Sequence, residues 1–314
     1  MKSTFGQSDL WRVCEGLYFP QRFRIRSSLT RRQYVFAVRE LETMLGGPAI
    51  IDDLTDDNFI RLVHFMETRK LAPKTINERV GRLKTLANWL WRKGLIRFGP
   101  TIERIPEPIR IPRAWSKPQL AALFDAAGRM EGRIGPFLAS AWWFAFLATA
   151  WWTGERTAAL LALRWQWLEG NVLYVPGEVR KGGRKDAAYR LPVECMARLA
   201  SLSGQSPFIF PWPARRGQGA RKADGNACIQ TFYRHYDLLL QSAGLPLGRY
   251  NKLQKVRRSH ATWKEIMGGS ATRSLMHDDP ATAIRFYIDP GLFDEEPPLF
   301  TPWEPTDRSR PPGA

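Results

Sequence analysis

The chain has 314 residues, 44% of them hydrophobic, which is enough for two domains with real cores. Lys and Arg number 47 against 30 Asp and Glu, a formal net charge of +17, and a soluble chain this basic usually meets a polyanion, nucleic acid being the commonest. Cys14, Cys195 and Cys228 are far apart, odd in number and without CxxC spacing, so neither a zinc site nor a disulfide framework is indicated. This cysteine usage fits a reduced, cytoplasmic setting, and the opening MKSTFGQSDLWRVCEG lacks the apolar core of a signal peptide. Residues 1–26 read as a mobile basic tail. Helical periodicity starts at Thr30, a suitable N-cap, with Val35, Val38, Leu41 and Leu45 on one face, and stops at Gly46-Gly47. Thr55 caps the next helix, Asp56 and Asp57 complement its dipole, and Ile60, Val63 and Met66 are expected inside. A third helix opens at Pro73, where proline suits the first turn, and repeats Ile76, Val80, Leu83, Ala87 and Leu90. Its outer face carries Lys74, Arg79, Arg82, Lys84, Arg92 and Lys93. Such charges are often only a solvated face, but the net charge favours phosphate contacts here. Residues 27–98 thus form a basic helical bundle.

Between Gly99 and Arg113 the texture changes to GPTIERIPEPIRIPR, four prolines without a clean period. Residues 99–114 read as a semi-extended interdomain linker. Ser116 and Pro118 begin a second helical domain, residues 115–290, with Leu120, Leu123 and Phe124 inside. Pro136–Gly154 is apolar on every face. It is at the short limit of a membrane span of ~20 residues, and its tryptophans run through the centre rather than the ends, so a core helix is expected and no membrane partner. Gly154 breaks that helix and Arg156 opens the next. NVLYVPGEVRKGGRKDAAYRLPV reads as short strands about a Gly-Gly turn with Lys181 at its tip. A helix around Met196–Leu202 precedes a loop loaded with Arg215, Arg216, Arg221 and Lys222. Another helix runs over 227–242, and residues 291–314 form a proline-rich tail without a core of its own.

The run from Gln254 to Tyr287 concentrates the chemistry. Arg257 and Arg258 open a helix, Gly268-Gly269 break it, His277 follows, and Tyr287 ends a second helical stretch. Such a set suits a phosphodiester: guanidinium forks grip nonbridging oxygens, imidazole donates a hydrogen bond, and a phenol can attack phosphorus.

With these residues in order, the chain resembles the tyrosine recombinase (phage integrase) family. TGER at Thr153–Arg156 resembles its first arginine motif and KGGRKDAAYRLP at Lys181–Pro192 its hairpin lysine. VRRSHAT at Val256–Thr262 resembles the second arginine motif, and LMHDDPATAIRFYIDP at Leu275–Pro290 the terminal histidine and tyrosine. The bundle is similar to the family's core-binding domain, and the likeness runs over roughly residues 28–290. The resemblance implies a mainly α fold: an N-terminal helical, SAM-like core-binding bundle, then a mixed, mostly helical catalytic domain with a small antiparallel sheet. It also implies a nucleophile, Tyr287; clamps, Arg156 and Arg257; a general acid, Lys181, with Lys185 competing for the role; and a phosphate donor, His277. Lys74, Arg79, Arg82, Lys84 and Arg258 are expected at the DNA backbone.

No cofactor is implied, because the phosphotyrosyl bond conserves the energy of the phosphodiester. The implied partners are double-stranded DNA, a homotetramer on two duplexes and an accessory DNA-bending protein, in the nucleoid region of the cytoplasm. In relatives a segment beyond the tyrosine packs on a neighbouring protomer, a role for which Leu292, Phe293, Leu299, Phe300 and Trp303 are apolar enough. Four departures stand out, the first being a spacing between His277 and Tyr287 that is one residue longer than the commonest. Gln254 replaces the usual histidine three residues before the second arginine, and an amide cannot take a proton at neutral pH. Ala159 stands where an acidic residue often supports the first arginine, and Met276 replaces the glycine before the histidine. Two other readings therefore stay open: a DNA-binding protein of this fold with decayed catalysis, and a topoisomerase IB-like relaxing enzyme.

Overall fold

The computed structural model describes residues 9–22, 28–182, 185–204, 206–212, 229–276 and 279–293. His277, the cations Arg215, Arg216, Arg221 and Lys222, and Leu299, Phe300 and Trp303 lie outside the described residues. The chain divides into two compact units, Met1–Ile109 and Arg110–Ala314.

The first unit is helical. Its long helices are α3 (Ser28–Leu45), α4 (Asp56–Thr68) and α5 (Pro73–Arg92), preceded by a short contiguous run of α1 (Leu10–Val13), a π-turn (Cys14–Tyr18) and α2 (Phe19–Gln21). For residues 9–22 that run replaces the expected mobile tail. Leu10, Val13, Cys14, Tyr18 and Phe19 recur at helical spacing and are all buried in the unit's core. The Tyr18 and Tyr34 hydroxyls lie 2.9 Å apart, and the basic residues around this stripe masked it in a reading by charge.

Two further details differ. Helix α3 starts at Ser28, so Thr30 lies inside it rather than capping it. In α4 the buried face is Phe59, Leu62, Val63 and Met66; Val63 and Met66 are inside as expected, while Ile60 is 47% exposed and Phe59 takes its place. Thr55 caps α4 as expected, accepting from the Asn58 amide. After α5, residues 101–107 are fastened to the bundle instead of spanning freely. Asp56 accepts from the Thr101 and Ile102 amides, Lys84 donates to the Ile102 carbonyl, and Asn77 exchanges hydrogen bonds with Ile105.

The second unit is built around α7 (Ala139–Thr153). With no polar face to turn to water, α7 is buried against α6 (Lys117–Gly128), α9 (Val193–Ala200) and α11 (Gln254–Ile266). Trp142 stacks on Phe146 with centroids 4.9 Å apart, and Phe210, Trp212 and Phe232 close round them. No helix among the described residues is long and apolar enough to cross a membrane. Phe137 and Leu138 are not part of α7: they form β2, paired antiparallel with β1 (Arg133–Ile134).

A second sheet has order β3 (Leu168–Glu169), β4 (Val172–Val175), β5 (Ala187–Arg190), all antiparallel. Leu173 and Val175 of β4 lie opposite Tyr189 and Ala187 of β5, and all four are buried while Tyr174, Ala188 and Arg190 face out. Period-two alternation thus fixes the register of the hairpin. The remaining helices are α8 (Thr157–Ala162), α10 (Ile229–Ser242), α12 (Ala271–Ser274) and α13 (Pro280–Tyr287). The unit is mainly helical with two small antiparallel sheets, as its sequence resemblance implies.

Candidate active site

The tetrapeptide Thr153–Arg156 is a helix stop followed at once by a helix start. Gly154 caps α7 in the left-handed region, φ +62°, and a Cβ there would lie 2.7 Å from the His260 ring. Its carbonyl faces inward and accepts from the Arg257 guanidinium. Arg156 is the extended N-cap residue of α8, so its side chain leaves the turn instead of running along a helix.

Helix α11 supplies the opposite wall. Val256, Arg257, Ser259, His260, Ala261 and Thr262 are buried, and Gln254 sits exposed three residues before Arg257. Arg257 is 1% exposed. Burial lowers its pKa, and the neighbouring Arg156 charge lowers it further. His260 packs under Gly154. Its Nδ1 faces the Trp151 carbonyl and must carry the proton, leaving Nε2 to accept from Ser274. Burial pushes the pKa of His260 down to about 4, so it is a neutral packing residue.

Tyr287 ends α13 at 7% exposure. Its hydroxyl accepts from Arg156 Nη2 at 3.3 Å and from Gln254 Nε2 at 3.5 Å, and Arg257 Cζ lies 5.1 Å from its ring centroid. Burial alone would raise the phenol's pKa, but Arg257 and then Arg156 outweigh it, and the net shift is downward. The backbone just past the ring is held as well. Thr262 Oγ1 donates to the Tyr287 carbonyl and accepts from the Asp289 amide, while the buried Asp289 carboxylate accepts from the Ala114 amide at 2.8 Å. Two guanidinium groups, an amide and a phenol thus meet at one point, where an oxyanion of phosphorus could be gripped beside a nucleophile.

Four of the sequence-derived site residues are therefore together: Arg156, Arg257, Gln254 and Tyr287. Lys181 is exposed in the connection between β4 and β5, without a hydrogen bond or ion pair to any described residue, and Lys185 lies at the other end of that connection. Of the five cations expected at DNA, Lys74 is exposed, while the others are partly buried. Arg79 pairs with Glu40, Arg82 donates to Gln33, Lys84 to the Ile102 carbonyl and Arg258 to the Tyr250 carbonyl. These four are committed to contacts within the fold.

Glu155 was not singled out from the sequence. It is 3% exposed and accepts at Oε1 from Arg180 Nε, 2.6 Å, and from the Tyr189 hydroxyl, 2.7 Å. A charged residue between two motif residues, where the chain turns inward, was its available signal. Among the described residues no three of His, Cys, Asp and Glu gather where they could hold a metal ion.

No protein-family model and no curated protein matches the chain. Solved structures do. A lambda integrase dimer bound to a COC′ core site matches with a TM-score of 0.65 at 17% identity, covering 93% of this chain and 98% of that one. The Tn1549 transposon integrase in complex with a circular intermediate DNA gives 0.63 at 16%, covering 88% and 94%. A lambda integrase tetramer bound to a Holliday junction gives 0.64 at 17%, covering 93% and 79%. At such identities the likeness is one of architecture, and it extends over nearly the whole chain: the protein has the tyrosine recombinase fold.

Proposed function

We propose that the protein is a site-specific DNA recombinase that cleaves and rejoins strands through a 3′-phosphotyrosyl intermediate. The observation that carries this reading is the convergence of Arg156, Arg257 and Gln254 on the Tyr287 hydroxyl. The Tyr287 oxygen attacks the scissile phosphorus as the P–O5′ bond breaks, leaving a phosphotyrosine and a free 5′-hydroxyl. Arg156 and Arg257 hold the nonbridging oxygens and offset the charge that grows on them. Their field also favours the phenolate, the attacking form. Gln254 orients the phenol through its amide but cannot remove its proton, which passes to solvent. Lys181, or Lys185 from the same connection, returns a proton to O5′, and His277 donates to the phosphate. Religation reverses these steps with a different 5′-hydroxyl.

The DNA-bound dimers and tetramers among the structural neighbours support double-stranded DNA as substrate and a tetramer on two duplexes as the working assembly. The test is covalent trapping. Nicked duplex fragments tiled across the DNA flanking the protein's own gene are incubated with it and resolved in SDS beside Tyr287→Phe. A DNA-linked band absent from Tyr287→Phe is expected. Fragments that bind without any such band would replace this reading with that of a binding protein whose chemistry has decayed at Gln254. Relaxation of supercoiled DNA with no joining of partner duplexes would indicate a topoisomerase-like enzyme instead.

A further inference from the structure

The connection between β4 and β5 leaves the sheet at Pro176 and returns at Ala187, and it carries both candidate proton donors, Lys181 and Lys185. An exposed connection of this length would ordinarily be loosely held. Here it is tied at both ends to one residue. Arg180 Nε donates to Glu155 Oε1 at 2.6 Å, and its Nη1 donates to the Lys185 carbonyl at 2.9 Å. The Arg180 and Glu155 side chains are 8% and 1% exposed, although their neighbours Lys181 and Arg156 are exposed and partly buried. A third group completes the junction. The Tyr189 hydroxyl donates to the same Glu155 oxygen, and burial together with that carboxylate raises its pKa, so it remains a donor. The Gly177 amide donates to Asp186, and a Cβ on Gly177 would fall 2.8 Å from the Lys185 nitrogen, so the two limbs of the connection close on each other.

Glu155 is also the residue just before Arg156, and its Oε2 accepts from the Arg156 amide. One carboxylate therefore touches the backbone of the first arginine and, through Arg180, the backbone on both sides of the lysines. A buried ion pair is a poor device for stability alone, since desolvating both charges offsets most of their attraction. Its geometry suits another use: it fixes one loop relative to one turn.

We propose that Glu155 and Arg180 are positioning residues for the general acid, a clamp that holds the lysine-bearing connection in register with Arg156 and Tyr287. The assignment rests on the reaction proposed above. In cleavage the Oη–P bond forms and the P–O5′ bond breaks, the phenolic proton goes to solvent, and a lysine ammonium proton goes to O5′. Without the clamp, only this last transfer is impaired. Arg180→Lys keeps the ion pair with Glu155, but one ammonium cannot reproduce the fork that also reaches the Lys185 carbonyl.

The test uses the full-length protein and the nicked duplex on which the wild type forms its adduct, prepared with oxygen or with sulfur at the bridging 5′ position. A thiolate leaves without protonation, so the sulfur substrate needs no general acid. Arg180→Gln is expected to slow adduct formation about 100-fold on the oxygen substrate, the scale of a lost general acid. On the sulfur substrate it should react within about 3-fold of wild type, with Arg180→Lys intermediate on oxygen. Glu155→Gln should behave like Arg180→Gln. Equal losses on both substrates, or no loss on either, would overturn the proposal. Hydrogen exchange is the second readout: amides of 177–182 and 185–188 should exchange faster in Arg180→Gln, while those of α11 stay as in wild type. Unchanged exchange in the connection overturns the clamp even if the wild type traps no DNA, and that absence of trapping would itself count against the proposed reaction only.

Discussion

The paired cations of the first unit and the two arginines beside Tyr287 in the second are used in different ways. In the first, Glu40 accepts from Arg69 and Arg79, Arg82 finds Gln33, and Lys84 finds a backbone carbonyl. Each of these four cations meets an acceptor of the protein's own, in contacts that contribute roughly 0.2–1 kcal/mol when exposed. In the second, Arg156 and Arg257 converge on a phenol, a neutral partner, and Arg257 is buried to do so. Burial and the Arg156 charge both lower the pKa of Arg257, so the arrangement costs stability. Cations that serve the fold are matched within it. Cations held close together around a nucleophile make a site that an added anion would stabilise.

The sharpest break of this comparison is at the second pair. Arg257→Gln or Arg156→Gln should reduce covalent trapping about 1,000-fold, roughly 4 kcal/mol in the barrier. Arg156→Gln should at the same time leave the thermal midpoint unchanged or a few degrees higher, because it relieves repulsion with Arg257. A fall in midpoint together with retained trapping would return Arg156 to the class of structural cations.

Next in size is the turn that aims Arg156. Gly154→Ala must place a Cβ at φ +62° and 2.7 Å from the His260 ring. A loss on the order of 3 kcal/mol in urea unfolding is expected from the combined strain and overlap. A loss below about 1 kcal/mol would mean that the turn relaxes, and that the position of Arg156 is not set by Gly154.

His260 gives the third test, through pH. Its pKa lies near 4 in the folded protein against an ordinary 6.5, so the folded state binds the proton less well than the unfolded chain. The stability it contributes is therefore full above about pH 6.5 and is lost as pH falls towards 4. Between pH 7 and 5 the loss should be on the order of 2 kcal/mol, and His260→Gln should flatten that part of the profile. A profile unchanged by the substitution would show that His260 binds its proton equally well in the folded and unfolded chain, so that burial does not hold it neutral.

What the sequence made legible follows from distance along the chain. Helix α7 announces itself by being apolar all round, α5 by its proline start and its repeat, and α11 by VRRSHAT within a periodic stretch. Arg156, Arg257, Gln254 and Tyr287 could be named because each sits in a short local pattern. The pairings between such patterns carry no spacing signal. Glu155 meets Arg180 across 25 residues, and Asp289 meets Ala114 across 175. The stripe Leu10–Phe19 is local but set among basic residues that obscure it; in α4 both Phe59 and Ile60 lie at helical spacing from Val63, and only packing decides that Phe59 is the one inside.

The smallest expected effect lies on the first unit's basic face. If Lys74 is a phosphate contact, Lys74→Ala should weaken binding to duplexes of any sequence alike and lower the slope of log K against log salt by about 1. Stability should stay within ~0.5 kcal/mol, because the side chain is exposed. Arg82→Ala separates the two uses of charge. Its guanidinium bonds Gln33 and lies 5.7 Å from the Tyr34 ring centroid, so losing it should cost ~1 kcal/mol of folding stability whether or not DNA is present. A salt slope lowered by Arg82→Ala as much as by Lys74→Ala would mean that Arg82 leaves Gln33 when DNA arrives, and that a cation bonded within the fold can still serve the partner. An unchanged slope would keep Arg82 among the cations that serve the fold alone.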